Sequence, residues 1–207
     1  MTFSTLSEPI DSSTVVELFR AQAKRVLTFL GFGELGYQET DRVLDIMRAE
    51  LATRNPCTTL VNTGTLIRVG GLNGIADIYL LAKQMGFETT GIHPSVAIGH
   101  SQTHRVSPYV DHAFFVLDDT WGGFQEHERE PSPTLRTLLQ VSDEVVVIGG
   151  GKHAADEMQA FWNKGTPLTY HPAEMNHAMS QLWSADAGVE ISGFKGAAFH
   201  YWMTKKP

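Results

Sequence analysis

The sequence predicts an α/β protein with a doubly wound, mainly parallel sheet and helices on both faces, in three layers. Three observations predict it. Short apolar runs recur between stretches of helical periodicity, so strands and helices alternate along the chain. The runs are almost continuously apolar, as in parallel strands covered on both faces. Several end in glycine, where a strand passes sharply into a helix. Together these describe a Rossmann-like sheet, whose ligands sit beyond the carboxyl ends of the strands where the chain order reverses.

The elements follow in order. Residues 1–12 read as a flexible leader. Ser12 or Ser13 caps a helix from about Thr14, with Val15, Val16, Leu18 and Phe19 on its apolar face. Residues 26–32 form the first strand, closed by Gly31, Gly33 and Gly36. A helix over about 39–53 places Val43, Leu44, Met47 and Leu51 on one side. The second strand, 58–64, runs into a glycine-bearing loop and a helix over 75–85, stopped by Gly86. Residues 88–94 are the third strand and 95–111 an irregular polar stretch. The fourth strand is 112–118, followed by a long loop and a helix over about 133–142. The fifth strand, 144–149, leads through three glycines to a helix over 154–163. The sixth strand is 167–171. Beyond it lie a helix near 174–184 and an irregular end rich in aromatics. This divides the chain into a leader and helix (1–24), a nucleotide-binding domain (25–172) and a tail (173–207). The tail packs on the domain or on a second subunit, so a homodimer is expected.

Composition excludes several classes. Lys and Arg total 16 against 23 Asp and Glu, a formal charge of -7. That surface is unsuited to a nucleic-acid backbone, whose binding needs clustered cations. A small anion remains allowed, because backbone N–H groups bind it without net positive charge. The lone Cys57 permits no disulfide within the chain and no cysteine-based metal site unless chains share it. No apolar run reaches the roughly 18–20 residues of a membrane span. Residues 1–15 lack the basic and apolar regions of a secretion signal, so a cytoplasmic protein is expected.

The strongest local signal is Gly149-Gly150-Gly151-Lys152-His153-Ala154-Ala155-Asp156-Glu157, between a strand and a helix. Glycines there let backbone approach a ligand, and the helix N-terminus favours an anion. A second turn carries Gly64-Thr65 and then Gly70-Gly71-Leu72-Asn73-Gly74. Both turns lead through an Ala-Asp pair (76–77 and 155–156) to a strand closed by His-Pro (93–94 and 171–172). The echo suggests two βαβ units offering glycine turns at one edge. Neither turn has the spacing of a dinucleotide fingerprint or a P-loop. His93 and His153 are candidate donors or acid–base groups at that edge. His100 and His104 lie four apart without an adjoining Glu, too little for a metal site.

The pair of turns resembles the LOG-type phosphoribohydrolases, often labelled lysine-decarboxylase-like, and their wider SLOG superfamily. Gly71-Leu72-Asn73-Gly74-Ile75-Ala76-Asp77 is similar to that family's first glycine motif. Gly149 to Glu157 stands where its second motif stands, and Phe29-Leu30-Gly31-Phe32-Gly33 is similar to its opening strand and turn. The likeness spans roughly residues 25–172. It implies a nucleotide or nucleotide-sugar ligand and cleavage of an N-glycosidic bond. It also implies Glu157 with Asp156 as catalytic acids; no cofactor or metal is expected beside the nucleotide-type ligand. The ligand would be held by Gly31, Gly33, Gly64, Thr65, Gly70, Gly71, Asn73, Gly74, His93, Gly149, Gly150, Gly151, Lys152, His153 and Ala154. The family's Arg-Lys pair, whose arginine helps catalysis, falls on Thr134 and Leu135 here, with Arg136 nearby on another side of the helix. A noncatalytic nucleotide or ADP-ribose-type binding protein on the same fold is the alternative.

Overall fold

The computed structural model describes residues 8–125, 130–187 and 193–205. Its centre is a parallel six-stranded sheet of β1 (Arg25–Gly31), β2 (Thr59–Thr63), β4 (Glu88–Pro94), β6 (His112–Val116), β7 (Glu144–Ile148) and β8 (Leu168–His171). The spatial order is β6-β4-β2-β1-β7-β8. The chain steps outward from β1 through β2 and β4 to β6, then returns to the other side of β1 with β7 and β8. The order therefore reverses between β1 and β7, where Gly31 pairs with Ile148 at the carboxyl edge. The doubly wound fold expected from the alternation is the fold observed.

Successive strand residues point to opposite faces, and each face has its own core. On one, Val26, Leu30, Leu60, Val145 and Val147 meet Val16 and Phe19 of α1 (Ser12–Ala21), Leu138 of α4 (Pro133–Val141) and Met158 and Phe161 of α5 (Lys152–Lys164). On the other, Leu27, Phe29, Val61 and Val146 meet Met47 and Leu51 of α2 (Thr40–Ala52) and Ile78 and Leu81 of α3 (Asp77–Gln84). The strands are less uniformly apolar than their hydropathy suggests. Thr28, Asn62 and Thr90 stand side by side across three strands. Asn62 donates to Thr28 at 3.2 Å, Thr90 donates to Asn62 at 3.3 Å, and Ser142 lies 2.7 Å from the Thr28 hydroxyl. Each polar side chain is thus satisfied within the core.

Several boundaries differ from expectation. Asp11, not Ser12 or Ser13, caps α1, its carboxylate accepting the Thr14 N–H at 3.0 Å. Ile10, assigned to the leader, bridges to Val116 and continues the sheet edge. Residues 1–7 of the leader lie outside the described residues. The stretch 95–111 holds one strand of a small antiparallel pair, β3 (Ile67–Arg68) with β5 (His104–Arg105). Two residues per strand are too few for any periodicity to show. Residues 95–100 form a 3-10 turn. Helix α6 (His177–Ala187) starts three residues later than expected, because Asn176 accepts the Met179 N–H as a cap. The aromatic end is not irregular: α7 (Gly196–Lys205) is a helix packed on α5. Its Trp202 stacks on Tyr170 at 5.3 Å and meets Trp162 edge-on at 5.9 Å.

The switch point is fixed by one buried tyrosine. The Tyr37 hydroxyl donates to the Ile148 carbonyl at 3.0 Å and accepts the Phe32 N–H at 3.2 Å. It ties the exit of β1 to the exit of β7. Tyr37→Phe keeps the ring and leaves both backbone groups without this partner. It is expected to cost about 1–3 kcal/mol in urea unfolding. No change in midpoint would mean that the hydroxyl holds nothing.

Candidate functional site

A cleft of about 210 Å³ opens at the carboxyl edge, against the β1–β7 switch point. Gly31 and Gly33 line it from the end of β1, and Thr63, Gly64 and Thr65 from the end of β2. Ile92 and Pro94 contribute from β4, and Thr134 and Leu138 from α4. The first turns of α5 add His153, Ala154 and Glu157. Trp121 and Gly122 come from the long loop before α4. Gly31 is obligatory there: a Cβ would lie 2.1 Å from the Tyr37 hydroxyl and 2.7 Å from the Ile148 carbonyl.

Glu157 is the chemically distinctive group. It sits on the cleft-facing side of α5, one turn above Ala154, with no hydrogen bond or ion pair among the described residues. Burial, reinforced by the neighbouring Asp156 charge, pushes its carboxyl up to about 8. A partly exposed edge remains, as a side chain that must reach a ligand requires. At neutral pH this carboxyl is protonated, a donor rather than an anion. Asp156 turns elsewhere: its carboxylate packs beside Gly123, where a Cβ would lie 3.1 Å away, and it is not among the residues lining the cleft. The expected pair of acids is therefore a single acid in the cleft with a second carboxylate behind it.

The other sequence-selected residues divide into two sets. Gly31, Gly33, Gly64, Thr65, His153 and Ala154 are brought together with Glu157. The rest are not. Gly70 and Gly71 line a separate, larger groove of about 490 Å³, with Arg68, Glu34 and the exposed Leu182 and Trp183 of α6. Arg68 donates to Glu34 at 3.0 Å within that groove. Asn73 donates to Asp77 at 2.8 Å. Gly74 is pressed under the Phe32 and Gly33 carbonyls. Gly149 packs on Phe32 and the Ala173 carbonyl, and Gly150 packs on Ala154 and Ala198. The Gly150 carbonyl also accepts the Ala198 N–H at 3.1 Å, so α7 occupies that side of the turn. Gly151 alone of the triplet faces open space. Lys152 is exposed on the first turn of α5 and does not line the cleft.

His93 is wholly buried, not at the cleft surface. Its ring folds over Gly91, and Nδ1 lies 3.1 Å from the Gly64 carbonyl. Burial lowers its pKa to about 4, against a small opposing effect of that hydrogen bond. A neutral ring with Nδ1–H donating to Gly64 fits the environment. It supports the cleft floor from beneath.

Three features were missed by sequence reasoning. Thr134 is only 4% exposed and lines the cleft from α4. Its N–H is held by Asp118 at 3.0 Å. Burial of Asp118 is outweighed by hydrogen bonds from Thr134 and Thr120, which keep its pKa below the usual carboxylate range. Trp121, 43% exposed, forms the rim. The rings of His100 and His104 pack against it at 5.1 and 5.4 Å, so the His-x-x-x-His pair supports an aromatic. Leu135 is buried in the core, and Arg136 lies 3.9 Å from Glu130. Among the described residues, none flanking Thr134 brings an arginine to the cleft. The loop that delivers Trp121 carries no motif, so nothing in the sequence announces it.

No family model matches the chain, and no curated protein matches it. Among solved structures, one described as TM1055, a structural-genomics target, is 21% identical. The match covers 70% of this chain and 72% of that one, with a TM-score of 0.45. Among the described residues, no helix is long and apolar enough to cross a membrane.

Proposed function

We propose that the cleft binds a nucleotide-type ribosyl compound and that Glu157 assists cleavage of its N-glycosidic bond. The observation that carries this reading is the Glu157 carboxyl, protonated at neutral pH, in the cleft at the switch point. Clefts at that position of a doubly wound sheet are the usual ligand sites of the fold. The order of the glycine turns, which resembles that of LOG-type phosphoribohydrolases, points to the same ligand class.

The chemistry follows from the protonation state. As the C1′–N bond breaks, its electron pair passes to the departing base and Glu157 donates a proton to that base nitrogen. The sugar develops oxocarbenium character. Water attacks C1′ and returns a proton to the Glu157 carboxylate, so the acid is regenerated. His153 and the first turn of α5 orient the ribose. Trp121 offers a face for the base.

The test is release of free base from nucleosides and nucleoside monophosphates, followed by chromatography across pH. With Glu157 as the acid, kcat/KM is expected to be level below pH 7 and to fall tenfold per unit above about 8. A rate rising through pH 8 would assign Glu157 the opposite role. A second reading, binding without turnover, is favoured by one observation. Asp156 faces Gly123, so among the described residues the cleft has one carboxyl where most glycoside hydrolases pair two. Ligand-induced stabilisation without base release would establish it.

A further inference from the structure

The exit of β2 is held from beneath by two buried side chains. The Tyr79 hydroxyl donates to the Thr63 carbonyl. His93 Nδ1 lies 3.1 Å from the Gly64 carbonyl, which only accepts, so Nδ1 carries the proton. The His93 ring is wholly buried, and among the described residues its Nε2 has no partner. An orphaned buried nitrogen destabilises a protein. Leucine would fill the same space without that cost, so filling space does not explain the histidine.

Fixing these carbonyls also fixes the other side of each peptide. Among the described residues no peptide bond is cis, so each N–H points opposite to the preceding carbonyl. With the Thr63 carbonyl on Tyr79, the Gly64 N–H points away from Tyr79. Strand geometry gives the same direction. The Thr58 carbonyl accepts the Arg25 N–H of β1 at 2.9 Å. Successive residues of a strand turn their peptide groups to opposite neighbours, so Thr63 turns to β4 and Gly64 to β1. The pairing of β1 with β2 ends at Thr28 with Asn62. Beyond that pair the strands part, and Gly31, Gly33, Gly64 and Thr65 line the cleft. The Gly64 N–H therefore meets the cleft rather than a strand. The next N–H, that of Thr65, is engaged with Thr63 Oγ1 at 3.4 Å.

We infer that the Gly64 N–H is a preformed donor to a ribose hydroxyl oxygen in the cleft, and that His93 is the positioning residue that holds it there. This rests on the ribosyl reading above and adds a second group that orients the sugar.

The experiment uses the full chain. The probes are adenosine, guanosine, cytidine, uridine and their 5′-monophosphates, measured by calorimetry. His93→Leu removes the donor and keeps the bulk, and should weaken the tightest probe about tenfold or more. His93→Asn places an amide N–H where Nδ1 stands and should restore most of that affinity. It also leaves space in the core, so it should unfold at lower urea than His93→Leu. Affinity and stability then order the two variants oppositely, which a merely structural histidine would not do. Affinity unchanged in His93→Leu, or falling in step with stability across both variants, would overturn the positioning role. Amide exchange in the ligand-free protein tests the donor by itself. The Gly64 N–H should exchange as readily as an open loop amide. Strong protection would mean that it is bonded within the protein, and would overturn the donor. Binding of none of these probes to well-folded protein would overturn the ribosyl reading, and exchange would still decide whether Gly64 offers its N–H to the cleft.

Discussion

Glu157→Gln is expected to lower base release by about 10²–10⁴-fold and, at pH 8, to make the protein more stable than the wild type. The two effects share a cause. The folded protein holds the Glu157 carboxyl neutral up to about pH 8, whereas its ordinary value is 4.5. Below pH 4.5 the group is neutral in both folded and unfolded chains and costs nothing. As pH rises from 4.5 towards 8, the unfolded chain ionises and the folded one does not, so stability is lost across that window. The loss reaches up to about 4 kcal/mol, reduced to the extent that water meets the exposed edge of the side chain. Glutamine is neutral throughout and removes it. Melting curves of the two proteins should coincide near pH 4.5 and separate steadily up to pH 8. Parallel curves over that range would mean that Glu157 ionises normally and is no acid at neutral pH. This comparison needs no substrate, so it holds whether the cleft turns its ligand over or only binds it.

His93 gives the opposite slope. Its folded pKa of about 4 lies below the ordinary 6.5, so the stability it contributes is complete above 6.5 and is lost as pH falls through 4. Glu157 destabilises towards alkaline pH and His93 towards acid, which places the wild-type optimum between them. The first is a chemical group held at a cleft, the second a support beneath it. Both strain the fold in exchange for the geometry of one edge.

How far the sequence revealed this edge depends on where each residue stands. Strands and helices were legible because their apolar patterns are long. Gly31, Gly33, Gly64 and Thr65 were legible because they lie at or just beyond strand ends, and His153 and Glu157 because they stand in the glycine motif that opens α5. The Thr28–Asn62–Thr90 ladder was not, since a polar residue in a strand shows no partner until the strands are paired. Helix α7 was hidden by its aromatics, which are spread around the helix and packed against α5 and β8 by tertiary contact. Thr134 and Trp121 reach the cleft from a helix and a loop far along the chain, so no local spacing marks them. The glycines mislead for a physical reason. A missing Cβ lets a ligand approach, and equally lets another backbone segment approach. Gly149 and Gly150 serve the second purpose, admitting Phe32, Ala173 and Ala198.

Gly74 is the sharpest case, and Gly74→Ala is expected to cost more than about 4 kcal/mol or to leave no folded protein. Its φ of +57° already disfavours a side chain. A Cβ there would lie 2.1 Å from the Phe32 carbonyl oxygen and 2.2 Å from that of Gly33. Both neighbours are backbone, and the Phe32 carbonyl is fixed by the Ile75 N–H at 2.7 Å. No side chain can swing aside, so the exit of β1 must move, taking Gly33 and the cleft floor with it. Gly151→Ala is the control. It stands at the cap of α5 with φ -82°, and a Cβ would meet nothing within 4 Å. Its cost should be near 1 kcal/mol, the ordinary penalty for alanine at a helix cap. Urea unfolding of both variants separates the two uses of glycine. If Gly74→Ala unfolds within about 1 kcal/mol of the wild type and has lost ligand binding, the architectural assignment of Gly74 is wrong, and it belongs to the ligand as its motif suggests. If Gly74→Ala collapses while Gly151→Ala stands, the motif around Gly74 is a joint between two backbone segments.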